Sequence, residues 1–154
     1  MYEKIMVPLD GSELAECVLP HVAAFIKGCH VVNVVFVRVV QPPPAPYAGS
    51  YVVSPGILKK IESAGKYDAK DYLDQVINRL KQEGVELHSE VLVGSVADSL
   101  ADFTEKNDFD LILIATHGRS GVNRWVRGSV ADKILRSSNV PVLMVRAPGT
   151  RGGI

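Results

Sequence analysis

Short runs of aliphatic and β-branched residues alternate along this chain with longer stretches whose apolar positions recur every three to four residues. Ile5 to Leu9 is the first short run. Val31 to Val40 is a near-continuous second one, as expected for a strand covered on both faces. Between them Leu14, Val18, Val22, Phe25 and Ile26 share one helical face, with Asp10-Gly11-Ser12 as turn and N-cap and Gly28 as the stop. Pro20 falls inside that helix and predicts a kink, because it removes an N–H and crowds the preceding turn. Residues 41–56, QPPPAPYAGSYVVSPG, read as a flexible Pro-rich crossover loop, with an SH3-type ligand as the other reading. Ile57 to Glu83 has the pattern of a long helix, bent at Gly65 and ended by Gly84. His88 to Val93 predicts a third strand. Ser95 and Asp98 then have capping-box spacing ahead of a helix that turns Val96, Leu100 and Phe103 inward. After a turn at Asn107-Asp108 comes the fourth strand, Leu111 to Ala115. Ser129 and Asp132 repeat the capping spacing, Val130 and Ile134 face the core, and Val140 to Val145 is the last strand.

Five strands alternating with four helices predict an α/β fold: an open, doubly wound parallel sheet with helices on both faces and right-handed crossovers. The 154 residues suit one domain, set here at 1–147, with 148–154 as a disordered tail. Hydrophobic residues at 47% and charged residues at 22% fit a globular chain that buries a core. Seventeen basic and seventeen acidic side chains cancel, which argues against DNA as a partner. No apolar run reaches the roughly 20 residues needed to span a bilayer, so no membrane partner is expected. The opening MYEKIMVPLDGS lacks the pattern of a secretory signal, and the two cysteines, Cys17 and Cys29, make no disulfide framework. A cytoplasmic location follows as the expectation.

The candidate chemistry lies between Asp110 and Val145. There a strand is followed by a loop carrying Gly118, Gly121 and Gly128, and Ser129 opens the next helix. Loop and first-turn N–H groups in that order form a cradle for phosphate. In doubly wound sheets ligands sit beyond the C-terminal strand ends, where the strand order reverses. With strand one central, this brings residues 8–12 next to Ala115-Thr116-His117-Gly118. Asp10 is then open to two roles, accepting from ribose hydroxyls or starting the turn. Arg119, Arg124 and Arg127 are either phosphate-neutralising groups or solvated surface arginines. His117 is either an acid–base group or a loop histidine with a structural hydrogen bond. GxxxxGK[ST], GxSxG and a GxGxxG after the first strand are all absent, and no paired acids or metal-ligand cluster show at readable spacing.

With KIMVPLDGSELA, GSVADSLADFTEKNDFDLILIATHGRSG and RGSVADKILRSSNVPVLMVR in place, nearly the whole chain resembles the universal stress protein family. ATP-binding members of that family carry G-x2-G-x9-G-[ST] after the fourth strand. The matching positions are Ala115, Gly118, Gly128 and Ser129, so alanine replaces the first glycine. The resemblance implies an adenine-nucleotide alpha-hydrolase-like fold with strand order 3-2-1-4-5 and a homodimer through the last strand, Val140 to Val145. It implies that Asp10 contacts the ribose or adenine side, that Pro8 and Leu9 line the base pocket, and that Val37 meets the adenine. Gly118, Ser129 and Val130 would meet phosphates and sugar, Gly94 would border the cleft, and His117, Arg119 and Gly121 belong to the same loop. An unpaired apolar edge strand supports the dimer independently, since such an edge invites aggregation.

The expected function is a dimeric stress-response regulator that binds ATP or AMP, with Mg2+ as a possible companion, and acts on protein partners. Its ATPase activity would be weak at most, because no base or arginine finger is evident. Two other readings stay open. One is a nucleotide-free interaction module of the same fold, and the other is an ATP-hydrolysing or adenylyl-transfer enzyme using His117. The 41–56 loop leaves strand two near the expected adenine, which makes it a candidate lid.

Overall fold

In the computed structural model the sheet runs β3-β2-β1-β4-β5, every neighbour parallel. The strands are β1 (Lys4–Pro8), β2 (Asn33–Val40), β3 (Glu86–Val93), β4 (Leu111–Thr116) and β5 (Val142–Arg146). The helices are α1 (Leu19–Cys29), α2 (Pro55–Leu80), α3 (Val96–Lys106) and α4 (Ser129–Ser137). The structure describes residues 2–43, 54–81, 84–116 and 129–147. His117, Gly118, Arg119, Gly121 and Gly128 lie outside them, as do residues 44–53 of the proline stretch and the expected tail.

Alternation along the strands divides the core in two. Ile5, Val7, Val34, Phe36, Leu111 and Leu113 pack with Val18, Val22, Leu73 and Val76 under α1 and α2. Met6, Val35, Val37, Ile112 and Ile114 pack with Leu100, Ala131 and Ile134 under α3 and α4. Burying an aliphatic or aromatic side chain is worth about 1.5–3 kcal/mol. β1, with Ile5, Met6 and Val7 all at 0% exposure, therefore anchors both layers.

Several local expectations are corrected. Pro20 does not kink a helix: a 3₁₀ turn over Ala15–Val18 precedes α1, and Pro20 falls in its first turn, where its missing N–H costs nothing. α1 runs past Gly28 to Cys29, and His30 takes the left-handed conformation at φ 56°. The proline stretch ends earlier than 56, because Ser54 caps α2, its hydroxyl accepting from the Ile57 N–H, and Pro55 opens the helix. α2 stops at Leu80, and it passes unbroken through Gly65. A Cβ at Gly65 would lie 3.2 Å from Val40 Cγ1, so the glycine serves close packing on β2 rather than a bend. At α3 the Ser95 hydroxyl donates to Asp98 Oδ2 at 2.8 Å instead of accepting from the helix. β5 begins at Val142 rather than Val140 and extends to Arg146.

Candidate functional site

The seam between β1 and β4 is closed at one end and open at the other. At its N-terminal end Asp110 Oδ2 accepts from both the Glu3 and Lys4 N–H groups at 2.9 Å, and the Asp110 N–H donates to the Lys4 carbonyl at 2.9 Å. Pairing continues through Ile5–Leu111 and Met6–Ile112, and the ladder stops there. Odd-numbered residues of this segment bond β2, as the Leu9 N–H does to the Val37 carbonyl at 2.9 Å, while even-numbered ones face β4. Pro8 is the next residue on the β4 side and has no N–H to give. β1 nevertheless stays paired with β2 to its last residue, and β4 stays paired with β5 as far as Thr116–Arg146. The two halves of the sheet thus part at their C-terminal ends, at the point where strand order reverses. That crevice is where open α/β sheets take ligands.

One lip of the crevice is the loop after β1. Asp10 Oδ1 accepts from the Ser12 N–H at 2.9 Å and from the Ser12 hydroxyl at 2.6 Å, forming an Asx turn. Ser12 Oγ in turn accepts from the Ala15 N–H at 3.1 Å and so starts the 3₁₀ turn. Asp10 is exposed and held at the mouth by this small network. Gly11 has φ +86°, and a Cβ there would meet the Arg38 guanidinium at 3.0 Å. The other lip is the end of β4, with Thr116 Oγ1 donating to the Val145 carbonyl at 3.4 Å.

The remaining expected site residues fall into two groups. Pro8 and Gly94 lie at C-terminal strand ends: Pro8 ends the β1–β4 ladder, and Gly94 follows the edge strand β3 with its N–H on the Val40 carbonyl at 3.1 Å. Val130 lies partly buried in the first turn of α4, which opens at Ser129 on the same side of the sheet. By contrast, Leu9 (4% exposed) and Ala115 (6%) point into the core beneath α1 and α2, and Val37 (1%) is enclosed beneath α3. Val39, two residues on and sharing the face of Val37, is only partly buried and presents the side chain nearer the strand end. Period-two alternation was the signal that could have found it. Ala115 is an ordinary strand residue paired with Val145, and the described non-glycine residues with positive φ are His30 and Asp108. The alanine in place of the family's first glycine therefore sits without backbone strain.

Around the crevice the helix ends carry charge in pairs. Lys133 of α4 bonds Asp98 of α3, and this contact, with the Ser95 hydroxyl, holds the Asp98 carboxyl below its usual range. Next to the β1 loop, Arg79 of α2 pairs with Glu16 at 2.9 Å and lowers its pKa. A shallow polar groove also lies at the β3 edge between α2 and β3, but its Lys70, Asp74 and Ser89 side chains bond one another. Among the described residues no cluster of three acidic, histidine or cysteine side chains is arranged to hold a metal ion. No described helix is long and apolar enough to cross a membrane.

Comparison with known proteins agrees with this architecture. Residues 1–146 match the model of the universal stress protein family. The universal stress protein MJ0531 of Methanocaldococcus jannaschii is 31% identical over 151 residues, which cover 96% of this chain and 84% of that protein. Among solved structures, that of the hypothetical protein MJ0577 superposes with a TM-score of 0.80 at 25% identity, covering 97% of this chain and 99% of the other. A universal stress protein in complex with cAMP gives 0.69 at 21% identity, covering 95% and 98%. A family protein from Arabidopsis thaliana with AMP bound gives 0.66 at 14% identity, covering 96% and 93%. Matched along almost its whole length by the family model, and with a sheet in the order 3-2-1-4-5, the chain belongs to the universal stress protein family.

Proposed function

We propose that this chain is a nucleotide-binding regulator that takes ATP, with Mg2+, or AMP in the crevice between β1 and β4 and passes the occupancy of that site to protein partners. The carrying observation is the parting of the sheet at Pro8, with the Asp10 turn on one lip and the start of α4 beyond the other. Asp10 would accept from ribose hydroxyls, while Pro8 and Val39 would lie against the base. Gly94 would border the site. The loop bearing Gly118, Arg119, Gly121 and Gly128, with the first turn of α4 at Ser129 and Val130, would surround the phosphates. The related structures holding cAMP and AMP support an adenine nucleotide as the ligand class. The chain's output would be occupancy rather than turnover, with ATPase activity weak at most. The protein would act as a homodimer joined through the last strand, Val140 to Val145, and would work in the cytoplasm.

The test begins with the purified protein: denature it and identify any released nucleotide. The stripped protein is then titrated with ATP and Mg2+ by calorimetry. The expected result is micromolar binding that weakens at least about tenfold in Asp10→Ala, the cost of charged hydrogen bonds to hydroxyls. Absence of both released nucleotide and binding heat would sink the proposal and move the weight to a nucleotide-free interaction module.

A further inference from the structure

Arg38 is a partly buried cation in the layer between β2 and α2, where a guanidinium requires partners. Its side chain shares a face with Val34 and Phe36, away from Val37 and Val39. The guanidinium lies over the Tyr72 ring of α2, 5.2 Å from the centroid. It also lies close to Gly11, where an added Cβ would come within 3.0 Å of Cζ and Nη2. Gly11 is the residue after Asp10 and lies inside the Asx turn that Asp10 makes with Ser12. The stack does not end at Tyr72. Its buried hydroxyl lies beside Glu16, whose carboxylate is tied to Arg79 further along α2. A continuous column therefore runs from α2 through Tyr72 and Arg38 to the loop that carries Asp10.

We propose that Arg38 is a positioning residue: by holding Gly11 from beneath, it fixes the turn that aims the Asp10 carboxylate and so sets the preference of the crevice for ligands with a free ribose diol. This rests on the nucleotide reading of the site. A guanidinium suits the task because its broad, delocalised head can lie over the Tyr72 ring and still reach the Gly11 main chain. A lysine would keep the charge and lose the plane.

The experiment compares ATP with 2′,3′-dideoxy-ATP by calorimetry on the wild type, Arg38→Ala, Arg38→Lys, Asp10→Ala and the Arg38→Ala/Asp10→Ala double variant. In Arg38→Ala, ATP affinity is expected to fall about tenfold while dideoxy-ATP affinity is unchanged, so that the preference for the diol collapses. Arg38→Lys should keep only part of that preference. In the Asp10→Ala background, removing Arg38 should have no further effect on the ratio, the signature of two residues acting as one unit. A merely structural role would lower the melting temperature and leave the ratio intact, and that result overturns the proposal, as does an equal loss for both nucleotides. If the wild type binds neither nucleotide, the functional reading fails. Amide exchange at Ser12 and Ala15 then decides the hold on the turn: faster exchange in Arg38→Ala supports it, and unchanged protection overturns it.

Discussion

Gly94 shows how much a single position can be constrained by its neighbours. Its φ is +145°, and a Cβ there would come within 2.8 Å of Ser99 Oγ. Gly94→Ala is expected to destabilise the fold by about 1–3 kcal/mol, read as a lower urea midpoint with an unchanged slope. Adding Ser99→Gly should return the steric part and leave the backbone part. The sequence made Gly94 a border of the cleft by resemblance alone, with no sign of the backbone angle that requires it. Asp10 was legible as a turn-former because the Asx-turn spacing to Ser12 is local. Leu9 and Val37 were harder to assign, because a continuous apolar run does not tell which alternate residue stands at the strand end. Arg38 was invisible as a site residue, since its partners Gly11 and Tyr72 are brought together only by the sheet and α2.

Elements were more readable than their ends. The alternation of β-branched runs and helical stripes predicts every strand and α-helix present among the described residues, in the right order, and misses only the 3₁₀ turn before α1. Two of the misplaced boundaries share one cause: proline and serine signals act over two or three residues and have alternative readings. Pro20 reads as interior when the 3₁₀ turn before it is counted as the same helix, and Ser54-Pro55 reads as loop when the proline run before it is allowed to set the register. Contacts between elements also set the response to acid. The Arg79 guanidinium holds the Glu16 carboxyl below its ordinary value of 4.5, joining α2 to the 3₁₀ turn. A lowered folded-state pKa stabilises fully above that ordinary value and loses its effect as pH falls through the folded value. Stability should therefore decline as pH falls below about 4.5, and Glu16→Gln should flatten that decline by under about 1 kcal/mol, because the Arg79 partner is 55% exposed and screened by solvent. Urea unfolding across that range measures it. A slope identical to wild type would assign the acid loss to the other lowered carboxyls, Asp74 and Asp98.

At the scale of the whole molecule, the strand order leaves two edges of opposite character. β5 exposes Leu143 and Met144, at 37% and 43%. Val142 to Arg146 is thus an apolar edge with backbone groups available for pairing. A dimer joined there buries it, and Met144→Lys is expected to weaken dimerisation at least about a hundredfold, since it sets a charge into the joint. Light scattering over a dilution series reads the change in mass. An unchanged dimer in that variant would place the joint elsewhere.

The opposite edge behaves differently. β3 presents Glu86, His88 and Glu90 to solvent in alternation, with His88 3.5 Å from Glu86. Were two copies to join at β5, as proposed, both apolar margins would be consumed at once, and each outer margin of the enlarged sheet would carry the exposed polar side chains of Glu86, His88 and Glu90, which disfavour further edge pairing. Growth would then stop after a single step. So closed, a chain could carry an adhesive strand without becoming the seed of a fibre.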